Sequence, residues 1–328
     1  MPVPSGTTIF GGFTVPVSTF TLDPMAPFDF DLTAAIFASG DPQIRIFCNG
    51  QFRQALDIGG TPVLAEVRSE GTVERPHLAV SCHANRPITK GVQGILRQKI
   101  ATIFSTADDL APFYAAMTQD RIMAGLTRKF SGLRCPVTPT VFEALADSVI
   151  EQQISLVAAR SVENRLIKAV GRQLSLEDGV YFCYPDPGTL AEVPDTLFRA
   201  CGLTIRKGEY LRGLSRRILD GDLNPEAFRN YPDTESIIEE LVKIRGIGRW
   251  TAELAILRGL HRSDAFPADD VGVRRFISRF YRDGEKVSSA DARLFAGRWG
   301  DYRGFAAWYL EVAELLKIRP GETGNHPG

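Results

Sequence analysis

The spacing of apolar residues changes near residue 132, and this change divides the chain into two parts. Before it, the segment 43–60 carries β-branched and aromatic residues between an Asn-Gly step and a Gly-Gly step, which is typical of β-strands. A helical pattern follows, with Leu96 and Ile100 on one face. Residues 1–131 are therefore predicted to form an α+β domain, a small antiparallel sheet with helices.

Helical patterns dominate the rest of the chain. Segments such as PTVFEALADSVIEQQISLVAAR and TESIIEELVKIRG repeat apolar residues at helical spacing, and Gly or Pro follows nearly every such segment. We predict an all-α domain over residues 132–320 and a frayed tail over residues 321–328. Within the helical part, YFCYPDPGTLAEVP is interpreted as a loop followed by one short helix.

Composition and charge narrow the class of protein. The chain has 328 residues, a formal net charge of −1, four dispersed histidines and five scattered cysteines without a Cys-x-x-Cys pair. These features predict no metal site and no disulfide framework. The sequence has neither an apolar run long enough to span a membrane nor a secretory signal, so a cytoplasmic protein is expected. The near-neutral charge means that nucleic-acid binding would need a local basic patch.

The stretch KIRGIGRW predicts such a patch. A helix ends near residue 244, Gly246-Ile247-Gly248 forces a tight turn, and a second helix begins near Arg249. The N–H groups around Gly246, Gly248 and Thr251 then lie unpaired at a helix N-terminus, where an anion such as phosphate binds. Basic side chains flank the turn at three positions, Lys243, Arg245 and Arg249. The turn alone is equally typical of an ordinary connection with a glycine C-cap.

The wider surroundings of the turn are basic. Between Leu241 and Asp283 the chain carries nine basic and five acidic residues. This segment can therefore supply the local positive charge that the whole chain lacks.

Two motifs in this region, GIGRWTAELA and DAFPADD, resemble those of the helix–hairpin–helix DNA glycosylases. The segments FSGLRCP and IEQQISLVAA resemble the part of that family that enters the DNA stack. The first 131 residues are similar in placement and length to the accessory domain of the 3-methyladenine DNA glycosylase II branch, which excises alkylated purines. The resemblance covers most of the chain and implies a helix–hairpin–helix glycosylase domain in the second half.

The resemblance assigns roles to individual residues. The second aspartate of the PADD segment, Asp270, is in register with the family's catalytic carboxylate. Gln153 or Ile154 occupies the place of the side chain that fills the gap left by a flipped nucleotide. Alternative roles for these residues are a helix N-cap at Asp269 or Asp270 and a polar helix face at the wedge segment.

The resemblance also points to residues of the base pocket. Trp250 is its predicted wall, because an indole face attracts cationic alkylated purines, although a core position for Trp250 is also compatible with the sequence. At the place where the alkylpurine branch has a further aromatic residue, this chain has Glu311, with Trp308 and Tyr309 close by as further pocket candidates.

Bifunctional members of the superfamily carry a nucleophilic lysine at the position that Trp250 occupies. The chain also lacks the four-cysteine pattern of the iron–sulfur branch. The resemblance therefore implies a monofunctional glycosylase that uses water and acts on alkylated or deaminated purines in double-stranded DNA.

Two alternatives stay open at this point. One is an 8-oxoguanine-type glycosylase of the same fold, and the other is a non-catalytic helix–hairpin–helix DNA-binding protein. The implied partner is damaged duplex DNA and no membrane, the expected state is a monomer, and a prokaryotic source would place the protein at the nucleoid. No organic cofactor is expected, and a monovalent cation held by carbonyl groups of the hairpin is compatible with the resemblance.

Overall fold

The computed structural model describes residues 8–10, 13–15 and 17–319, and the first part of the chain is built on a five-stranded antiparallel sheet. The sheet has the order β3-β7-β6-β5-β4, and β1 pairs with β2 in a separate hairpin. The strands are β1 (Thr8–Phe10), β2 (Phe13–Val15), β3 (Val17–Leu22), β4 (Arg45–Cys48), β5 (Gln51–Ile58), β6 (Thr61–Ser69) and β7 (Leu78–His83).

Two helices cover one face of this sheet. Their bounds, with those of the next two helices, are α1 (Phe30–Phe37), α2 (Lys90–Ile103), α3 (Ala111–Met117) and α4 (Arg121–Lys129). In α2, Leu96 and Ile100 are buried against the sheet, as the helical spacing predicts. Phe52 of β5 meets Phe104, directly after α2, with ring centroids 5.1 Å apart. The predicted sheet with helices is therefore present, and it has its own apolar core.

The second part of the chain is mainly helical. Its helices are α5 (Val141–Glu151), α6 (Leu156–Val170), α7 (Pro187–Glu192), α8 (Asp195–Ala200), α9 (Ile205–Leu219), α10 (Thr234–Leu241), α11 (Arg249–Ala255), α12 (Val271–Tyr281), α13 (Ser289–Ala296) and α14 (Arg303–Leu315). Short 3-10 helices span Pro225–Asn230 and Gly297–Tyr302, and a π-helical segment, Ile256–Leu260, extends α11. Residues 141–150 of α5 are all buried, and α6, α9 and α11 pack against this helix.

The helical part also contains one short hairpin, β8 (Gln173–Leu176) and β9 (Gly179–Phe182), that the sequence interpretation did not include. Leu174 and Tyr181 pack on Ala55 and Leu64 of the first sheet. Tyr181 therefore belongs to a strand and not to the predicted loop, whereas the predicted short helix is present as α7. Contact with the first sheet stabilises a hairpin that would be marginal alone.

The predicted boundary near residue 132 is crossed by ion pairs between the two parts. Arg45 of β4 contacts Glu143 of α5 at 3.8 Å and Glu163 of α6 at 3.7 Å. The division at residue 132 stays a prediction, and the predicted frayed tail lies outside the described residues. Across the part of the chain that the structure describes, no helix is both long and apolar enough to cross a membrane.

Candidate active site

The glycine turn between α10 and α11 has the tight geometry that its sequence predicts. Ile244 N–H donates to Leu241 O, and Ile247 N–H donates to Ile244 O, both at 3.0 Å. Gly246 has φ of 93°, and a Cβ there would lie 2.3 Å from the ring of Tyr210. Only glycine satisfies both the backbone conformation and this close approach without strain.

The turn leaves N–H groups free at the surface. Those of Gly246 and Gly248 make no hydrogen bond to any residue within the described ranges. Gly248 is exposed, and no atom lies within 4 Å of the point where a Cβ would stand. Thr251, in contrast, is 2% exposed and accepts a hydrogen bond through its hydroxyl. The anion-binding capacity of the turn therefore resides in the main chain.

Each basic side chain that flanks the turn is ion-paired: Lys243 with Glu240 at 2.6 Å, Arg245 with Glu209 at 2.9 Å, and Arg249 with Glu235 at 2.7 Å. Arg249 also contacts Glu253 at 3.0 Å, a carboxylate whose side chain is 2% exposed. The pairs of Lys243 and Arg245 are exposed, so either can rearrange toward a phosphate at little cost. Arg249 is held more firmly, since two carboxylates share its guanidinium.

Asp270 lies beside this turn with both carboxylate oxygens engaged. Oδ2 accepts from Trp250 Nε1 at 3.0 Å, and Oδ1 accepts from Val273 N–H at 3.0 Å, which makes Asp270 the N-cap of α12. Trp250 follows Gly248 by two residues, so its indole links the carboxylate to the hairpin. Asp269 is exposed. Of the two aspartates, the structure assigns the N-cap role to Asp270 itself.

The remaining predicted pocket residues lie on α14 in different surroundings. Trp308 is partly buried, and its Nε1 donates to Arg134 O at 3.1 Å. Tyr309 is 1% exposed, packs against Phe113, and donates to Leu133 O at 2.9 Å. Adjacent residues point about 100° apart around a helix, so Tyr309 lies in the apolar core while Trp308 packs at the edge of that core.

Charged residues of α5, α6 and α14 lie near Asp270 and Arg258. Arg258 is ion-paired with Glu151 at the end of α5. Burial raises the pKa of Glu311 on α14; Arg258 and Arg160 act to lower it, and Asp270 and Glu151 raise it further. Burial acts to lower the pKa of Arg258, but Glu151 and Glu311 outweigh it and the net shift is upward. Arg258 belongs to the segment that the sequence predicts to be a basic patch, whereas the structure places it in a cluster of both charges.

The predicted wedge segment forms the turn between α5 and α6, next to the hairpin. Gln153 is exposed with φ of 59°, and Ile154 is 40% exposed. Their neighbour Gln152 donates through Nε2 to Gly246 O at 2.8 Å and to Thr251 Oγ1 at 3.0 Å. This link could not be predicted, because nothing in the local pattern around a glutamine indicates a partner 94 residues away.

The chain is similar in sequence to known DNA repair proteins. Residues 146–299 match the family model of the HhH-GPD superfamily base excision DNA repair proteins. The chain is 31% identical over 228 residues to the DNA-3-methyladenine glycosylase of Bacillus subtilis (strain 168), an alignment that covers 69% of this chain and 74% of that protein.

Solved structures share the fold along most of the chain. The 3-methyladenine DNA-glycosylase from Archaeoglobus fulgidus superposes with a TM-score of 0.79 and 25% identity, over 91% of this chain and 99% of the other. The Clostridium acetobutylicum 8-oxoguanine glycosylase/lyase, in complex with double-stranded DNA, superposes with a TM-score of 0.70 and 21% identity, over 89% and 94%. The second likeness concerns the fold alone. The predicted order, an α+β part followed by a helical part of this type, is confirmed.

Proposed function

Because the chain belongs to the HhH-GPD superfamily of base excision DNA repair proteins, we propose that it is a monofunctional DNA glycosylase for alkylated purines. It turns a damaged nucleotide out of duplex DNA and hydrolyses the N-glycosidic bond. The observation that carries the proposal is the 3.0 Å hydrogen bond from Trp250 Nε1 to Asp270 Oδ2, because it holds a carboxylate beside a turn suited to a DNA phosphate.

Asp270 is the proposed catalytic residue. Cleavage of the N-glycosidic bond develops positive charge at the anomeric carbon, and a fixed carboxylate nearby stabilises that charge. The bonds to Trp250 and Val273 hold the carboxylate in place before the reaction, so little reorganisation accompanies it. The lone pairs that these bonds leave free can orient the attacking water.

The glycine turn and the wedge segment position the DNA. The free N–H groups at Gly246 and Gly248 bind the backbone phosphate, with Lys243 and Arg245 contributing charge. Contacts of this kind do not read sequence. Gln153 or Ile154 fills the space that the flipped nucleotide leaves, since both are exposed on the turn that Gln152 ties to the hairpin.

The chemistry at Trp250 supports a glycosylase without lyase activity. Cleavage of the strand by a bifunctional enzyme requires an amine that forms a Schiff base with the sugar. The residue beside Asp270 is an indole, which cannot form one. The expected product is therefore an intact abasic site.

Alkylated purines are the substrate class that the pocket supports best. Purines alkylated at N3 or N7 carry positive charge, and the partly buried face of Trp250 can attract it. The Bacillus subtilis and Archaeoglobus fulgidus relatives are described as 3-methyladenine glycosylases.

Replacement of Asp270 tests the catalytic part of the proposal. Asp270→Asn keeps an N-cap acceptor but removes the charge, so excision of 7-methylguanine from a duplex should fall by at least about 100-fold, as expected for loss of a principal electrostatic group. Binding to a duplex with an abasic-site analogue should persist. The matched control is Asp269→Asn, the same change at the exposed neighbour, which should excise at the wild-type rate. Full excision by Asp270→Asn, or equal losses in the two variants, would overturn the assignment.

A lesion panel tests the rest. The wild-type protein should remove 3-methyladenine or 7-methylguanine and leave DNA that breaks only after alkali treatment. Strand cleavage without alkali, or excision of 8-oxoguanine alone, would instead favour the glycosylase/lyase alternative, whose fold this chain also shares. Binding without excision of any base would leave only a DNA-binding role. Sedimentation of the protein with a damaged duplex should show a monomer.

A further inference from the structure

Glu311 is a titratable side chain that the proposed mechanism does not use. It lies on α14, one helical turn after Trp308, and is partly buried. Among the described residues, its carboxylate has no hydrogen-bond donor and no ion-pair partner. A carboxylate in this position loses hydration without gaining a contact in return.

The groups around Glu311 explain why a partner is missing. The nearest guanidinium, that of Arg258, is already ion-paired with Glu151. Arg160 is close enough to interact electrostatically, but burial lowers its own pKa and it forms no ion pair with Glu311. Asp270 repels Glu311, since each carries the same charge. The cluster thus holds three carboxylates and two guanidiniums, which leaves one negative charge unbalanced.

A cation entering this site would supply the missing charge. The proposed substrates are bases that become cationic when alkylated at a ring nitrogen, and their Watson–Crick edge carries N–H donors. Hypoxanthine has a similar size and shape but no charge. A carboxylate therefore distinguishes the two kinds of base in a way that an apolar wall cannot.

We propose that Glu311 is a specificity-determining residue of the base pocket, whose carboxylate selects cationic alkylated bases over neutral bases by accepting hydrogen bonds from their edge and balancing their charge. This inference rests on the proposed glycosylase function. It assigns discrimination to Glu311 and bond cleavage to Asp270. The competing role is structural, in which Glu311 only helps to hold Arg258.

The test compares two substrates with two matched variants. Single-turnover excision of 7-methylguanine and of hypoxanthine is measured in the same duplex, and each rate is divided by the uncatalysed rate of loss of that base. Glu311→Gln removes the charge at nearly constant shape. The control, Glu314→Gln, makes the same change on the same helix at a residue that pairs with Arg279.

Glu311→Gln should lower the corrected rate for 7-methylguanine by about 10- to 100-fold, the usual effect of a hydrogen bond to a charged group. The rate for hypoxanthine should change less than about threefold. Glu314→Gln should leave the ratio of the two rates unchanged. An equal loss for both bases, or no loss for either, would overturn the role of Glu311. If the wild-type protein excises neither base, both this inference and the proposed function fail, whereas activity with an unchanged preference contradicts this inference alone.

The pH dependence of the wild-type preference provides a test without a variant. Because the pKa of Glu311 is raised, protonation at falling pH should remove its charge and reduce the preference for 7-methylguanine. Asp270 acts in the cleavage of both bases, Glu151 is held by Arg258, and the guanidiniums of Arg258 and Arg160 stay charged throughout, so a change in the ratio of the two rates reports on Glu311. A ratio that is constant with pH would contradict the proposal.

Discussion

The glycine turn offers a prediction whose magnitude follows from the structure. Gly246 has φ of 93°, and a Cβ at this residue would lie 2.3 Å from the Tyr210 ring. Alanine in a left-handed conformation costs about 1–2 kcal/mol, and forcing a side chain into a packed site costs about 1–3 kcal/mol more. Tyr210 cannot move freely, because it is 9% exposed and its hydroxyl accepts from Arg206 Nε.

Gly246→Ala should therefore lower the free energy of unfolding by about 2–5 kcal/mol. For a chain of this size, the midpoint of thermal unfolding should fall by about 3–7 °C. Circular dichroism on heating measures the midpoint, and fluorescence anisotropy with an abasic-site duplex measures DNA binding. Binding should weaken equally on any DNA sequence, because the turn contacts the backbone only.

The matched control is Gly248→Ala, two residues along the same turn. Its φ of −92° is ordinary for alanine, and no atom lies within 4 Å of the new Cβ, so stability should change by less than about 0.5 kcal/mol. Adding Tyr210→Ala to Gly246→Ala removes the overlap, and the double variant should be less destabilised than the two single losses added. If both glycine variants unfold within about 1 °C of the wild type, the strain argument is refuted.

Two further changes test buried contacts of the helical part. Gln152→Ala removes the hydrogen bonds to Gly246 and Thr251, so urea unfolding should show a loss of about 1–3 kcal/mol, and unchanged stability would count against the link. Burial raises the pKa of Glu143 to about 8 from an ordinary value of 4.5; the folded state then retains a proton that the unfolded chain releases, and stability falls as pH rises through this window. Glu143→Gln removes this proton, so its free energy of unfolding should fall less steeply with pH than that of the wild type, by up to about 1.4 kcal/mol per pH unit for one proton. Urea unfolding between about pH 5 and about pH 8 measures the two slopes. Equal slopes in the two proteins would contradict the prediction.

Local sequence signals predicted the parts of the site that depend on local geometry. The Gly-Ile-Gly turn and the capped helix that starts at Asp270 follow from turn and capping preferences over a few residues. The β8–β9 hairpin carried a comparable signal, the Asp178-Gly179 step between two short runs of strand-forming residues. The interpretation missed it because helical patterns surround it and its stability comes from the distant first sheet.

Side-chain direction and charge pairing could not be read from the sequence. Trp308 and Tyr309 have the same local pattern, yet Trp308 is partly buried and Tyr309 is fully buried, because only the packing of α14 decides which side faces inward. Arg258 is predicted to add to the basic patch, but its charge is paired with Glu151, which lies on another helix. Both outcomes depend on tertiary contacts between segments far apart in the chain.

The link through Gln152 has a consequence for how the proposed enzyme opens DNA. Gln153 holds a left-handed conformation that costs a non-glycine residue about 1–2 kcal/mol, so the turn needs outside support to keep its shape. Gln152 supplies it by donating to Gly246 O and Thr251 Oγ1. The turn proposed to enter the base stack and the turn proposed to hold the phosphate are therefore linked directly. When the phosphate is bound at the hairpin, this link holds the wedge segment next to the bound strand, and a duplex that deforms easily there accepts the wedge at lower cost.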